Sequence, residues 1–183
     1  MNLIRLVPAE LRERELRREN STCTEFWTAL DAVKDPEIPA LSIWDMGILQ
    51  NVEQLSSSVK VTITPTYSGC PAMDLIKEDI EAAIRQMGVD QVEVITQLSP
   101  AWTTDWMTED AQARMRESGI AAPDDTRVPG CRVHETEPEQ LEIACPQCAS
   151  RNTRMVSQFG STACKALMQC NACSEPFDYF KRI

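Results

Sequence analysis

The sequence predicts an α/β (α+β) fold: a small two-layer α/β domain followed by a compact C-terminal module built around four cysteines. Three observations support this. Apolar residues alternate over "VKVTIT", and a helical apolar stripe follows within a few residues. A stretch rich in Pro, Asp and Glu then precedes two CxxC pairs. The expected segments are an N-terminal arm over 1–20, the α/β domain over 21–120, a linker over 121–140 and the cysteine module over 141–183.

The first half of the chain predicts two helical segments and a β-hairpin. The N-terminal arm mixes Arg and Glu with few large apolar residues, which indicates a solvated helix or a loose arm. Thr22 and Glu25 form a capping-box pattern, so a helix is expected to begin there and to end at the prolines that follow. Residues 45–47 mark a turn, after which residues 48–64 alternate as a β-hairpin.

The next segment predicts a helix, a third strand and a further helix. The first of these helices is expected from Pro71 to Met87, with Gly88 as its C′ residue. "QVEVITQL" predicts the strand. Thr108 is a suitable N-cap for the last helix, and Gly119 a suitable stop. The apolar stripe of the first helix comprises Leu75, Ile76, Ile80, Ala83, Ile84 and Met87.

Composition narrows the class of protein. The chain of 183 residues is 43% apolar and 25% charged, as in ordinary globular proteins. No apolar run approaches the ~20 residues that cross a bilayer, and the N-terminus lacks the apolar centre of a secretory signal, so we expect a cytoplasmic protein. The net charge of −10 argues against nucleic acid, because an acidic chain repels phosphates. Eight cysteines in such a chain favour metal or thiol chemistry over disulfides.

Two CxxC pairs, Cys145 with Cys148 and Cys170 with Cys173, are separated by 21 residues. Each pair can form a tight turn that presents two thiolates, and two such turns complete a tetrahedral site. The flanking sequence has room for three short strands, which is the pattern of a zinc ribbon. Redox CxxC motifs are disfavoured, since the alternating βα surroundings of a thioredoxin-like unit are missing. An iron site of rubredoxin type stays open, because four thiolates suit either metal.

The zinc expected in this ribbon is structural. Four cysteines leave no open coordination position, and a segment of about 40 residues buries too little core to fold unaided. Residues 145–183 carry five basic and two acidic side chains, a balance of +3, which four thiolates and Zn²⁺ reduce to about +1. Docking onto a protein is therefore favoured over nucleic-acid binding.

Two further cysteine positions leave alternatives open. Cys164 lies between the CxxC pairs and is expected to be a small buried apolar residue, the alternatives being a fifth ligand or a reactive thiol. Cys131 and His134 form a CxxH pattern in the linker, and His134 is the single histidine of the chain. A ligand pair there has no partners at matching spacing.

Cys70 lies where the hairpin gives way to a helix. Pro71 suits the first helical position, which places Cys70 at the N-cap, where backbone N–H groups and the helix dipole favour a thiolate. Local features leave open whether Cys70 reacts or only fills a cap beside Gly69. A Cys–His nucleophile is disfavoured, because no histidine precedes residue 134. The chain is therefore not expected to be a catalyst itself.

Carboxylates in nearby loops offer further ligands. Asp35 and Glu37 lie in "KDPEIP", and Asp45 lies in "WDMG". One thiolate with carboxylates could hold iron transiently. The alternative is that these acids cap turns, which is favoured for Asp45 and stays open for the other two.

Several stretches resemble known families. "DPEIPALSIWDMGIL" and "TITPTYSGCPAMDLI" resemble the SufT-like family of small iron–sulfur-assembly proteins. That resemblance implies a compact α/β domain that delivers or targets clusters, with Cys70, Asp35 and Glu37 as functional positions. "SPAWTTDWMTEDAQARMRESGI", "FGSTACKALMQC" and "EPFDYFKRI" are similar to the PaaD-type D subunits of bacterial phenylacetyl-CoA epoxidase.

This second resemblance implies a role in aerobic phenylacetate degradation, with a diiron oxygenase and an iron–sulfur flavin reductase as partners. The leading hypothesis is an accessory or maturation factor that assists iron–sulfur or iron-centre assembly. Cys70 would hold iron or a cluster transiently, or contact a donor protein, while the ribbon docks the client. The alternatives are a non-catalytic structural subunit of the oxygenase complex and an enzyme that uses Cys70 as a nucleophile or redox thiol.

Overall fold

A three-stranded sheet with a helix packed against it forms the centre of the N-terminal part of the chain. The computed structural model describes residues 9–123 and 143–183, and its contacts divide the chain into two compact units, Met1–Ala111 and Gln112–Ile183. The elements of the first unit are, in chain order, α1 (Ala9–Glu19), α2 (Thr24–Leu30), β1 (Lys34–Asp35), β2 (Ile38–Ser42), β3 (Leu49–Gln54), β4 (Ser58–Ile63), α3 (Ala72–Gln86) and β5 (Gln91–Thr96). A 3₁₀ turn (Thr104–Trp106) and α4 (Glu109–Glu117) follow.

The sheet has the order β3-β4-β5, with β3 antiparallel and β5 parallel to β4. The predicted hairpin, the helix after it and the third strand are thus confirmed. Helix α3 makes the crossover between the parallel strands and buries Ile76, Ile80 and Ile84 completely. Leu75 and Met87, which the apolar stripe placed on the same face, are exposed, because the buried face of the helix is centred on the i, i+4 row of these isoleucines.

Residues 9–19 of the expected N-terminal arm form helix α1, which packs against the fold rather than lying free in solvent. Leu11 and Arg14 of α1 are buried. The capping-box prediction was wrong by one residue: α2 begins at Thr24 with Cys23, not Thr22, at its N-cap. Cys23 is buried and its thiol lies 3.5 Å from the carbonyl oxygen of Val52, so packing of that side chain fixes the start of the helix.

Strands β1 and β2 were not predicted. They form a separate two-stranded antiparallel ladder in which Asp35 pairs with Ile38. Pro36 and Pro39 indicated only a break in the chain. A two-stranded ladder leaves one side of each strand unpaired, so it accommodates proline, which has no N–H to donate.

The second unit is a three-stranded ribbon of β6 (Thr153–Ser157), β7 (Lys165–Cys170) and β8 (Pro176–Phe180), all antiparallel, as the sequence predicted. Ala121 joins its edge, accepting from the N–H of Phe180 and donating to the carbonyl of Asp178. The core cluster of the ribbon comprises Ala121, Ile143, Cys145, Ala166, Met168, Cys170, Phe177 and Tyr179.

Two predicted ends of the last helix are also confirmed. The hydroxyl of Thr108 accepts from the N–H of Ala111, and Gly119 adopts a φ of 81°. Cys131 and His134 lie outside the described residues, so the CxxH pattern and the four segment boundaries stay predictions. No helix in residues 9–123 or 143–183 is long and apolar enough to cross a membrane.

Candidate metal centre and the Cys70 loop

The four cysteines of the CxxC pairs come together in the ribbon. The sulfur atoms of Cys145, Cys148, Cys170 and Cys173 all lie within 4.8 Å of one another. The sulfur atoms of Cys145 and Cys173 are 3.8 Å apart, and those of Cys148 and Cys170 are 3.6 Å apart. These distances exceed a disulfide bond of ~2.05 Å. They match the edge of about 3.8 Å that a tetrahedron with metal–sulfur bonds of ~2.3 Å requires.

The two CxxC turns are folded alike. Cys145 donates its N–H to the carbonyl of Ser150 at 2.9 Å, and Cys170 donates its N–H to the carbonyl of Glu175 at 3.0 Å. Each first cysteine is thus tied to the residue five positions later. The sequence indicated two turns, but not that the backbone repeats this closure.

Each turn closes through one residue in the left-handed conformation. Ala149 follows Cys148 with a φ of 59°, and Ser174 follows Cys173 with a φ of 66°. These are the two non-glycine residues with positive φ in the described chain. This conformation turns the next backbone N–H back towards the preceding cysteine sulfur. Neither Ala nor Ser signals the conformation in the sequence, which is why it was missed.

Backbone N–H groups also set the charge of the thiols. Hydrogen bonds from the N–H groups of Cys173 and Ala172 lower the pKa of Cys170 to about 7. The N–H of Glu175 lowers the pKa of Cys173, but burial and the other three thiols outweigh it and raise that pKa to about 12. The N–H of Ser150 lowers the pKa of Cys148, but the neighbouring Cys170 and burial outweigh it, so that pKa is raised as well. Once Cys170 is ionised, its negative charge opposes ionisation of the other thiols. A bound divalent cation would offset this repulsion between thiolates.

The left-handed residues give a testable prediction. Ala149→Val and Ser174→Val should each weaken metal binding by about 1–2 kcal/mol, roughly 5- to 30-fold, because a β-branched side chain opposes positive φ. Ala149→Gly and Ser174→Gly should bind at least as tightly as the parent chain, since glycine adopts this conformation freely. Competition titration with a chromophoric chelator measures the affinities.

The matched control for these variants is Ala163→Val, an exposed alanine of the same unit with ordinary φ. It should leave the affinity unchanged. Valine variants at both left-handed positions that bind metal as tightly as this control would contradict the proposed role of the backbone.

Cys164 is buried but does not join the cluster. Its thiol contacts the hydroxyl of Thr162 at 3.1 Å, as expected for a small buried residue with one local partner. Within residues 9–123 and 143–183, the four cysteines of the CxxC pairs are the single group of three or more Cys, His, Asp or Glu side chains whose ligand atoms converge.

Cys70 lies in the loop between β4 and α3, with its side chain half-buried. The predicted N-cap was wrong by one position: Pro71 is the N-cap and α3 begins at Ala72. The reason is a tight first turn, in which the N–H of Met73 bonds to the carbonyl of Cys70 at 3.4 Å. A Cβ on Gly69 would meet the ring of Tyr67 at 3.9 Å, an ordinary contact, so the loop does not require glycine there.

Two of the three acidic residues singled out by sequence, Asp35 and Asp45, take structural positions. Asp35 is buried, and its carboxylate accepts from the N–H groups of Glu37 at 2.8 Å and Ile38 at 3.0 Å. It therefore closes the turn between β1 and β2. Glu37 is exposed beside it. Asp45 likewise closes a turn, accepting from the N–H and hydroxyl of Ser42 at 2.8 and 2.7 Å.

Cys70, Asp35 and Glu37 do not form a converging ligand set, because the described residues hold no such group outside the ribbon. Metal bound at Cys70 would need further ligands from outside the described residues of this chain. Residues 9–111 of the N-terminal unit therefore present the thiol of Cys70 without a preformed chelating site around it.

Comparison with known proteins gives two family matches. The model described as PaaD zinc beta ribbon domain matches residues 129–181, and the model described as Iron-sulfur cluster assembly protein matches residues 24–95. A protein of Escherichia coli (strain K12), provisionally named as the D subunit of 1,2-phenylacetyl-CoA epoxidase, is 49% identical over 159 residues, or 87% of this chain and 92% of that protein.

More distant matches cover the N-terminal unit. A protein of Porphyromonas gingivalis (strain ATCC BAA-308 / W83), named Fe-S protein maturation auxiliary factor, is 36% identical over 88 residues, or 47% of this chain and 83% of that protein. The crystal structure of a domain of unknown function, DUF59, from Bacillus anthracis is 23% identical with a TM-score of 0.48, and the match covers 57% of this chain and 95% of that one.

Proposed function

The chain belongs to the family of phenylacetyl-CoA epoxidase D subunits, and from this membership we propose that it is an accessory factor that assists assembly of iron–sulfur or iron centres in that epoxidase system. The proposed partners are the oxygenase and the iron–sulfur flavin reductase of the system. The names of the more distant relatives support the assembly role, because they describe Fe-S protein maturation factors. In this role the chain serves the enzyme without being the catalyst.

The observation that carries the proposal is the partial exposure of the Cys70 thiol. Among the described cysteines, Cys70 alone is neither buried nor part of the four-cysteine cluster. It lies within residues 24–95, the part matched by the iron–sulfur assembly model. A partly accessible thiol can ligate iron or exchange with a donor, whereas a buried one cannot reach another molecule.

The lack of converging ligands around Cys70 in the described chain favours transfer over storage. A resident cluster or iron ion needs several protein ligands, and among the described residues Cys70 offers one outside the ribbon. We therefore assign Cys70 to a complex in which the donor or client supplies the remaining ligands. Glu37, exposed beside the turn that Asp35 closes, is the carboxylate we assign to contact that partner.

For the ribbon we propose Zn²⁺ as the resident metal. Sulfur–sulfur distances of 3.6 and 3.8 Å suit a closed tetrahedral site that stabilises the fold and takes no part in the chemistry. Iron in the same four thiolates is the alternative. Metal analysis of the purified chain separates the two, and visible absorption gives a second test, because Zn²⁺ has a filled d shell and is colourless.

The test of the proposed function is Cys70→Ser in cells that produce the whole epoxidase system. The iron and labile sulfide of the purified reductase, and its activity, should fall by about tenfold, the scale of loss when a group at a metal site is removed. The matched control is Ser68→Ala, an exposed change in the same loop that should have no effect. A reductase with full cluster content from Cys70→Ser cells would overturn the proposal.

The structural-subunit alternative is favoured by one observation, the word subunit in the name of the E. coli relative. It predicts that the chain co-purifies with the oxygenase in fixed proportion and that the oxygenase disassembles without it. Absence of the chain from the purified active oxygenase favours the maturation role instead.

A further inference from the structure

One side chain on the ribbon stands out by its exposure. Phe159 has 63% of its surface exposed, the largest fraction for any large hydrophobic residue among those the structure describes. Val156, three residues earlier, is 51% exposed. Val156 lies where the pairing of β6 with β7 shifts register between Met155 and Ser157, so this side chain stands outside the regular ladder. The two residues present apolar surface at one end of the ribbon.

The loop that carries Phe159 is held by hydrogen bonds on both sides. The hydroxyl of Ser157 accepts from the N–H of Phe159 at 3.2 Å and donates to its carbonyl at 2.8 Å. The ammonium of Lys181 donates to the carbonyl of Gln158 at 3.0 Å. The N–H of Gly160 donates to the carbonyl of Lys165 at 2.9 Å. Every residue from 157 to 160 is thus bonded within the ribbon, and the ring of Phe159 is left outward.

Gly160 lets this loop lie close to the sheet. A Cβ at this position would lie 3.1 Å from a carboxylate oxygen of Asp178 and 3.3 Å from the Cβ of Lys165. Those two side chains form an ion pair at 3.6 Å beneath the loop. The loop that carries the aromatic ring is therefore ordered before binding, so a partner that binds the ring would cost little conformational entropy.

The charge around Phe159 is positive. The ammonium of Lys181 lies 4.7 Å from the centre of the ring. Residues 145–183 have five basic and two acidic side chains, a balance of +3 that four thiolates with Zn²⁺ reduce to about +1, whereas residues 1–144 carry −13 of the net charge of −10. One of the two acids, Asp178, is already paired with Lys165. The ribbon is thus the basic part of an acidic chain, and it suits an acidic partner.

We propose that Phe159, Val156 and Lys181 form the surface by which the ribbon docks a protein component of the epoxidase system, one that offers an apolar pocket edged by carboxylates. The proposal deepens the accessory function and rests on it, because that function supplies the partner. Phe159 is the anchor that enters the pocket, and Lys181 pairs with its acidic edge. Rigid aromatic anchors of this kind dominate the affinity of many protein interfaces.

A second copy of the chain is the alternative occupant. One pocket of the N-terminal unit lies between the β3–β4 turn and the start of β5, and its lining is largely polar, with Ser56, Ser57 and Ser58 in it. It does not offer the apolar walls that a phenylalanine ring requires. Self-association through Phe159 is accordingly an outcome that the experiment must detect.

The experiment titrates the full purified chain against the purified oxygenase and, separately, the purified reductase. Phe159→Ala should weaken binding to one of them by about 30-fold, the effect of losing a central anchor residue. Lys181→Glu should weaken it by about tenfold and reduce its salt dependence. Leu55→Ala, an equally apolar change at an exposed leucine of the N-terminal unit, is the matched control and should bind like the parent chain.

Three results would overturn the inference: Phe159→Ala binding within twofold of the parent chain, no binding of the parent chain to either component, or loss in Phe159→Ala only of self-association measured by sedimentation. None of these results would by itself reject the accessory function. Phe159→Ala retains Cys70 and all four clustered cysteines, whereas Cys70→Ser retains the docking surface. The cluster content of the reductase in Cys70→Ser cells tests the accessory function separately.

Discussion

Cys170→Ser should yield a chain whose ribbon has lost its metal and its fold while the N-terminal unit stays folded. Cys170 is completely buried and belongs both to the sulfur cluster and to the ribbon's hydrophobic core, as Cys145 does. A core of eight side chains is too small to hold three strands together unaided. Binding of structural zinc by such modules supplies on the order of 10–16 kcal/mol, which is most of their folding energy.

Two measurements check this result. Metal content by elemental analysis should fall from one ion per chain to none, and limited proteolysis should cleave the ribbon while leaving the N-terminal unit intact. Cys164→Ser is the matched control, because Cys164 is a buried cysteine of the same ribbon that lies outside the cluster and beside the hydroxyl of Thr162. A Cys170→Ser chain that keeps one tightly bound metal, or a chelated parent chain that resists proteolysis, would contradict the assignment.

The parts of the fold that the sequence could predict depend on short-range patterns. The hairpin, α3 and β5 were predicted because apolar residues recur at period 2 and then near period 3.6, and burial of Val59, Val61 and Ile63 follows from that alternation. The four ligand candidates were predicted for a similar reason. A CxxC turn is a local structure, and two of them at a suitable interval have few ways to fold other than around one metal.

The parts that were missed depend on contacts distant in sequence or on backbone conformations that the residue types do not favour. Asp35 closes a turn through its own neighbours, but its burial is set by the surrounding fold. The left-handed Ala149 and Ser174 look like any exposed residues in the sequence. The predicted apolar stripe of α3 included exposed residues such as Leu75. Packing against the sheet determines that Ile76 is buried and the adjacent Leu75 is not, and the sequence pattern does not distinguish the two.

Arg14 is the clearest of these cases, because α1 was expected to be solvated or loose. Its guanidinium is buried and donates to three backbone carbonyls, those of Leu49 at 3.3 Å, Trp44 at 3.1 Å and Trp106. It also lies 4.3 Å from the centre of the Trp44 ring. Burial lowers the pKa of Arg14 to about 9, so at neutral pH the group is still a cation. Arginine is almost never buried without a carboxylate, and a pattern search therefore assigns it to the surface.

Arg14 links three segments of the described unit: the turn before β3, the start of β3 and the 3₁₀ turn. Arg14→Ala removes a charged donor from three backbone carbonyls and opens a cavity beside Trp44. A buried carbonyl left without its donor costs about 1–3 kcal/mol, so three of them amount to about 3–5 kcal/mol or more, a large share of the roughly 5–15 kcal/mol that stabilises a typical domain. Arg14→Lys should recover little of this loss, since an ammonium cannot reproduce the planar set of donors.

We therefore expect denaturant unfolding of Arg14→Ala to show a free energy of unfolding lower by about 3–5 kcal/mol. Fluorescence reports the right unit, because all four tryptophans, at positions 27, 44, 102 and 106, lie in it. Arg17→Ala, an exposed arginine on the same helix, is the matched control and should change the value by no more than about 0.5 kcal/mol. If the two variants unfold alike, α1 is only an appended helix; a difference of the expected size shows that it clamps the loops at the edge of the sheet.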